Sequence, residues 1–279
     1  MPFQFTIDRI FNRYVPKNKL HKLPKPLARL LGAHQEPPTH DYYIWTEILV
    51  STFAGIALLE GLFKSHNVFT DHHHAPMIIA SYGATAILCF NASQVPLAQP
   101  RNILVGHFIA SVIGISIQKL FSLSQGGRDH YWASGALSVA VSSVVMSIGN
   151  CVHPPAGASA LLPSIDDQIR EMSWWFLPVQ LVSSVLIIAV ACITGNIFRR
   201  YPVYWWTPGE VGPPQPQKLD EESTTSIEEE SEDNDTLKFV AGVDTIVISA
   251  DQVIVPEGID IDPVEVDWLR SLQSKLKKS

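Results

Sequence analysis

CVHPPAGASALL, from Cys151 to Leu162, sets a histidine and two consecutive prolines directly before a run of small and apolar residues. Pro154 and Pro155 cannot sit inside a helix without loss of backbone hydrogen bonds. The apolar residues on either side, Cys151 and Val152 before and the Ala and Leu residues after, favour no water. A helix that begins inside a membrane meets both demands. The first four N–H groups of any helix lack intrahelical partners, and in hydrocarbon they must face protein or a water-lined cavity. The prolines supply no N–H, whereas Ala156, Gly157 and Ala158 do. Gly157 leaves room for a close approach, and Ser159 adds a hydroxyl. A helix N-terminus also carries partial positive charge and favours anions. His153, Pro154, Pro155, Ala156, Gly157 and Ser159 therefore form a candidate anion site. The plainer reading is a proline kink whose backbone groups are satisfied by neighbouring helices.

Composition places this stretch in a membrane protein. Of 279 residues, 46% are hydrophobic and 17% charged, against about a quarter charged in soluble domains. Residues 1–41 hold seven Lys or Arg and three acids, residues 42–202 seven of each, and residues 203–279 six bases and seventeen acids. A basic arm, a nearly uncharged middle and an acidic tail describe a polytopic bundle with soluble ends. Cys89, Cys151 and Cys192 lie far apart in apolar surroundings without CxxC spacing, which favours packing over a disulfide or zinc framework. The N-terminus lacks the compact apolar core and cleavage site of a signal peptide. Neither a cofactor nor a nucleic-acid partner is indicated; a lipid bilayer is, and homo-oligomerisation stays open.

Five or six hydrophobic segments follow the arm. Tyr42 to Phe63 is long enough, at roughly 1.5 Å per residue, to span a bilayer, and its aromatic start suits the interface. The second segment, PMIIASYGATAILCF, opens at Pro76, a residue favoured in a first helical turn. Ile103 to Phe121 and Trp132 to Met146 are further candidate spans, Ala156 to Leu162 is too short to cross alone, and Trp174 to Phe198 is long and ends at Arg199–Arg200. Gly106, Ala110 and Gly114, and likewise Ser134, Ser138 and Ser142, recur at four-residue spacing, which lets helix backbones approach closely in lipid. GATAIL, Gly83 to Leu88, repeats in GASALL, Gly157 to Leu162, 74 residues later. Either the match is chance, or the domain has two related halves, each with one interrupted helix. Interrupted helices in repeats mark transporter sites, which adds Gly83 and Thr85 to the candidate set.

Other polar residues lie at depth. Arg101 precedes the third span and either attracts an anion or anchors the interface; His107 further along is a packing residue or a proton relay. Glu47 and Glu60 pair with Arg101 or His107, carry protons, or reach the nearer interface. DHHH, Asp71 to His74, reads as a solvated connector rather than a metal site, because three consecutive histidines cannot all point one way on a helix.

Beyond Tyr204 the chain turns Pro-rich, then acidic, and reads as a disordered linker to residue 236. Residues 237–279 alternate β-branched and polar residues as short strands and close on a helix signalled by Asp262, Pro263 and Glu265.

SYGATAILCF, PLAQPRN, the Gly106–His107 pair and HPPAGASALL together resemble the HPP family of integral membrane proteins, over roughly Tyr42 to Phe198. The resemblance implies a four-spanning domain, fewer spans than the segments counted. It implies, from members associated with nitrite across organelle membranes, transport of a small anion. The function expected first is therefore an anion transporter, passive or proton-coupled, with nitrite the family-derived substrate. A non-transporting scaffold that recruits partners through its acidic tail is the second reading. An enzyme ranks third, since no nucleophile–base pairing stands out. A polar cavity reaching His153 favours transport and a sealed core favours the scaffold. Both termini are expected in the cytosol.

Overall fold

The computed structural model describes residues 6–208, 211–212, 238–240, 246–249, 252–256, 269 and 273. The chain divides into two compact units, Met1–Pro216 and Gln217–Ser279.

The first unit is helical. A short arm carries α1 (Asp8–Phe11) and α2 (Lys25–Leu30). Then come α3 (Asp41–Lys64), α4 (Val68–Asp71), α5 (Ser81–Phe90) and α6 (Pro100–Ser122). After these follow α7 (Gln125–Arg128), α8 (Tyr131–Ile148), α9 (Ala156–Ile165), α10 (Asp167–Met172) and α11 (Phe176–Thr194). The ends obey local chemistry. Asp41 opens α3 and Lys64 closes it, each complementing the helix dipole; Asn67 and Thr70 form a capping box on α4; Pro100 starts α6.

Among the described residues four helices are long and apolar enough to cross a bilayer: α3, α6, α8 and the run from α10 through α11. The two short apolar helices, α5 and α9, have ten residues each, about 15 Å, half of what a crossing needs. α9 begins directly after the His-Pro-Pro triplet, and Gly149 to Pro155 is not helical. In the second segment the helix starts later than Pro76 suggests. His74 takes a left-handed backbone, φ 51°, and the chain stays irregular to Ile79, with Ala75 and Ile79 buried. Each short helix is thus preceded by a non-helical stretch that enters the bundle.

Contacts fix the direction of every element. The start of α3 meets the end of α11, where Glu47 pairs with Arg199 at 2.7 Å and the rings of Tyr43 and Phe198 lie 5.3 Å apart. Arg199 also donates to the carbonyls of Phe90 and Asn91 at the end of α5. Tyr201 donates to Ala98 just ahead of α6, and Arg101 donates to Gly149 just after α8. All five ends lie together with the arm. At the far end, Tyr131 of α8 meets Ser122 of α6, and Ser134 of α8 meets Ser164 of α9. The first half (α3, α5, α6) therefore runs away, toward, away from the arm end; the second (α8, α9, α11) runs toward, away, toward. This is an inverted arrangement.

Small residues let these helices close. A β-carbon on Gly114 would run into the backbone carbonyl of Ala160 in α9, and one on Gly106 would come 2.9 Å from the β-carbon of His153. Ser134, Ser138 and Ser142 are all fully buried on α8. Cys89, Cys151 and Cys192 are free and buried.

Among its described residues the second unit has three strands, β1 (Lys238–Val240), β2 (Val247–Ile248) and β3 (Val253–Pro256), in the order β1-β3-β2. β1 pairs parallel and β2 antiparallel with β3. Val253, Val255 and Leu269 form its small apolar cluster. The acidic stretch from residue 213 and the helix start at Asp262 fall outside the described residues.

Candidate functional site

Thr85 is the third residue of GATAIL and Ser159 the third of GASALL. The structure brings both to one histidine. Thr85 Oγ1 lies 2.9 Å from His107 Nε2, and Ser159 Oγ lies 2.9 Å from His107 Nδ1. Thr85 Oγ1 is also 3.0 Å from His153 Nε2. The two imidazoles meet edge to face at 4.9 Å, and Tyr82 stacks on His107 at 4.8 Å. Each half thus supplies its short helix, and the first half supplies His107 between them. The N-terminal turns of α5 and α9 adjoin as well, with Ser81 and Ser159 hydroxyls 3.1 Å apart.

The hydrogen bonds order themselves from a fixed end. His153 Nδ1 lies 2.9 Å from the carbonyl oxygen of Leu97, which can only accept, so Nδ1 carries the proton. With both rings neutral, Nε2 of His153 then accepts from the Thr85 hydroxyl. Thr85 has one proton, so His107 Nε2–H donates to Thr85, and His107 Nδ1 accepts from Ser159. Gln180 Nε2 donates to Ser159 at 2.7 Å. The tautomers are assigned by this pattern. With the Thr85 hydroxyl turned from the Ser81 carbonyl at 3.1 Å and the Ser159 hydroxyl from the Ser81 hydroxyl at 3.1 Å, every proton along Gln180–Ser159–His107–Thr85–His153–Leu97 points one way.

Thr85, His107, His153 and Ser159 have zero exposure. Two cavities, of about 720 and 490 Å³, lie at the arm end, and no member of this polar seam lines either. Gln180 Oε1, 1% exposed as a residue, has no partner.

The other expected site residues lie elsewhere. Pro155 and Ala156 are buried at the turn, and Pro154 is exposed. The amides of Ala156, Gly157 and Ala158 bond the carbonyls of His153, Pro154 and Pro155 at 2.9, 3.0 and 3.1 Å, so they are engaged within the first turn. Gly83 is exposed, Gly157 is half-buried, and nothing stands within 4 Å of a β-carbon added to either. Arg101 is outside the seam and pairs with Asp8 of the arm at 2.5 Å. Glu47 pairs with Arg199 rather than with Arg101 or His107, and Glu60 is half-buried. In the DHHH connector the His73 ring stacks on Trp175 at 3.8 Å. Among the described residues no group of three His, Cys, Asp or Glu is placed to hold a metal ion.

Sequence reasoning passed over Tyr82, Gln180 and Ser81. Tyr82 donates to the Gln180 carbonyl at 2.6 Å and lies 2.8 Å from Ser184 Oγ, which ties α5 to α11. Gln180 did carry a signal: at offset 74 it corresponds to Gly106, the neighbour of His107.

Comparison with known proteins gives the family. Residues 37–202 match the HPP transmembrane region, and the chain belongs to that family. One transmembrane protein of Dictyostelium discoideum is 30% identical over 178 residues, 63% of this chain and 60% of the relative. A second from the same organism is 31% identical over 160 residues, 56% of this chain and 50% of the relative. The chain thus spans half to three-fifths of the relatives it matches. No solved structure matches.

Proposed function

We propose that this member of the HPP transmembrane family moves a small monovalent anion together with a proton, through the seam formed by Thr85, His107, His153, Ser159 and Gln180. One observation carries the reading: equivalent hydroxyls of two oppositely directed short helices hold the two nitrogens of one buried histidine. Interrupted helices meeting at depth are the arrangement in which inverted-repeat transporters bind solute.

Charge decides the coupling. No Lys or Arg belongs to the seam, and the first-turn amides of α9 are already engaged. A bare anion there would lack compensation, and burying an uncompensated charge is costly. The anion must therefore travel with a proton, as its conjugate acid or beside a protonated histidine. A proton gained at His107 Nδ1 would make that nitrogen a donor, and the Ser159 hydroxyl would turn toward Ser81. The free Gln180 Oε1 offers an acceptor to an acid O–H or a water. Nitrite, suggested by the family resemblance, is the first substrate to test.

Nitrite, nitrate, formate and chloride flux in proteoliposomes, with and without an imposed pH gradient, tests the proposal. Nitrite uptake that follows the proton gradient and is lost in His107→Asn supports it. Flux indifferent to pH overturns the coupling. The complete burial of the seam favours a second reading, a sealed scaffold whose acidic tail recruits partners. Absence of flux for all four anions would favour that reading.

A further inference from the structure

At the arm end of the bundle, Asp8 sits as a bound oxyanion would. Its Oδ1 accepts from Arg101 Nη2 at 2.5 Å and its Oδ2 from Nη1 at 3.1 Å, the two-pronged geometry of guanidinium on a planar carboxylate. Asn150 Nδ2 donates to Oδ2 at 2.5 Å. The Trp206 ring lies 4.1 Å from the guanidinium carbon, a cation–π contact. The Arg101 side chain is 3% exposed.

The donors are held independently of Asp8. Arg101 also donates to the carbonyls of Gly149 at 2.8 Å and Trp206 at 3.2 Å. Asn102 donates to Val152 at 2.8 Å, which fastens α6 to the segment ahead of His153. Asn150 has φ 47°, a left-handed backbone uncommon outside glycine. Asp8 itself comes from a different element, a single turn of helix joined to the end of α8 by the Ile7 amide on Ile148.

We propose that Arg101, Asn150 and Trp206 form a binding site for a small planar oxyanion, and that Asp8 is its tethered, competing occupant. The segment from Gly149 to His153 leads from this site to the seam, so a seated Asp8 covers the approach. That covering role rests on the transport reading above; the binding site does not. Carboxylates, nitrite and nitrate all offer two coplanar oxygens to the fork, and chloride does not.

Full-length Asp8→Ala in detergent, followed by thermal unfolding and Trp fluorescence during acetate titration, tests the site. The variant should melt below the wild type, and acetate should raise its Tm, whereas chloride at matched ionic strength should not. Because Asp8 competes, the wild type should need at least about tenfold more acetate for the same fluorescence change. Asp8→Ala combined with Arg101→Gln should not respond. No acetate effect on Asp8→Ala, or an equal effect on the wild type, overturns the proposal. If Asp8→Ala unfolds during preparation, recovery of folded protein in acetate supports the site and failure to recover it in acetate overturns it. Acetate rescue with unchanged nitrite flux would keep the site and remove its covering role.

Discussion

His107 is held by hydroxyls on both ring nitrogens, and a buried donor or acceptor left unpaired costs about 1–3 kcal/mol. Thr85→Val keeps the shape and removes the hydroxyl that bonds both histidines. It should destabilise the protein by roughly that amount and abolish proton-coupled flux, while His153 keeps its bond to Leu97. Ser159→Ala should behave alike, since it unpairs His107 Nδ1 and the Gln180 amide together. Thermal unfolding in detergent and flux in vesicles read the two effects. Wild-type flux in both variants would remove the seam from the mechanism. The sequence made His153, Thr85, Ser159 and His107 legible because each stands in or beside a motif. It did not single out Tyr82, although that residue stands in SYGATAILCF, or Gln180, whose offset-74 match to Gly106 was its one signal, because neither motif nor offset names a partner on another helix. Nor could it join Arg101 to Asp8, 93 residues apart, since ion-pair partners in different elements are chosen by packing.

At the scale of elements, the short helices depend on where glycine is needed and where it is not. Gly114 meets the Ala160 backbone, so Gly114→Leu must part α6 from α9. Such overpacking costs about 1–3 kcal/mol or more, and Tm should fall accordingly. Gly83 and Gly157 face open space, so alanine at either, inside a helix, should leave stability unchanged or raise it by roughly 0.5–1 kcal/mol. A loss of stability in Gly157→Ala equal to that of Gly114→Leu would contradict this account of the packing. The prolines made the break before α9 legible, because their effect on a helix is local. Pro76 suits a first turn, yet α5 starts at Ser81, since proline at a first turn permits a helix without requiring one. What delays α5 to Ser81 is the burial of Ala75 and Ile79 in an irregular segment, a tertiary effect that no local rule contains.

The membrane unit as a whole closes on the Glu47–Arg199 pair, whose side chains are 2% and 11% exposed. Removing one partner of a buried pair leaves an uncompensated charge, at about 3–5 kcal/mol. Glu47→Gln should therefore lower Tm sharply, and Glu47→Gln with Arg199→Gln should recover part of the loss; a double variant no better than the single one would show that the charge is not what matters. The all-helical bundle with interrupted helices was legible from hydropathy and prolines alone, because burial of apolar segments and backbone satisfaction leave a membrane chain few alternatives. The number of crossings was not, since a ten-residue helix reaches across only with the non-helical chain before it. The start of α3 and the end of α11 meet at one end of the bundle, so an even number of passages is expected. Of the seven Lys or Arg before Asp41, only Lys22, Lys25 and Arg29 stand close enough to α3 to count, and Arg199–Arg200 after α11 is the stronger signal. Basic residues near span ends set orientation, and acids contribute little, so that side should be the cytosol and the acidic tail does not oppose it. Protease accessibility of tags at the two termini in sealed vesicles of known orientation decides the matter. Both tags should be cut from the cytosolic face. Cleavage of one tag with protection of the other would require an odd number of passages, and the inverted halves would have to be abandoned with the orientation.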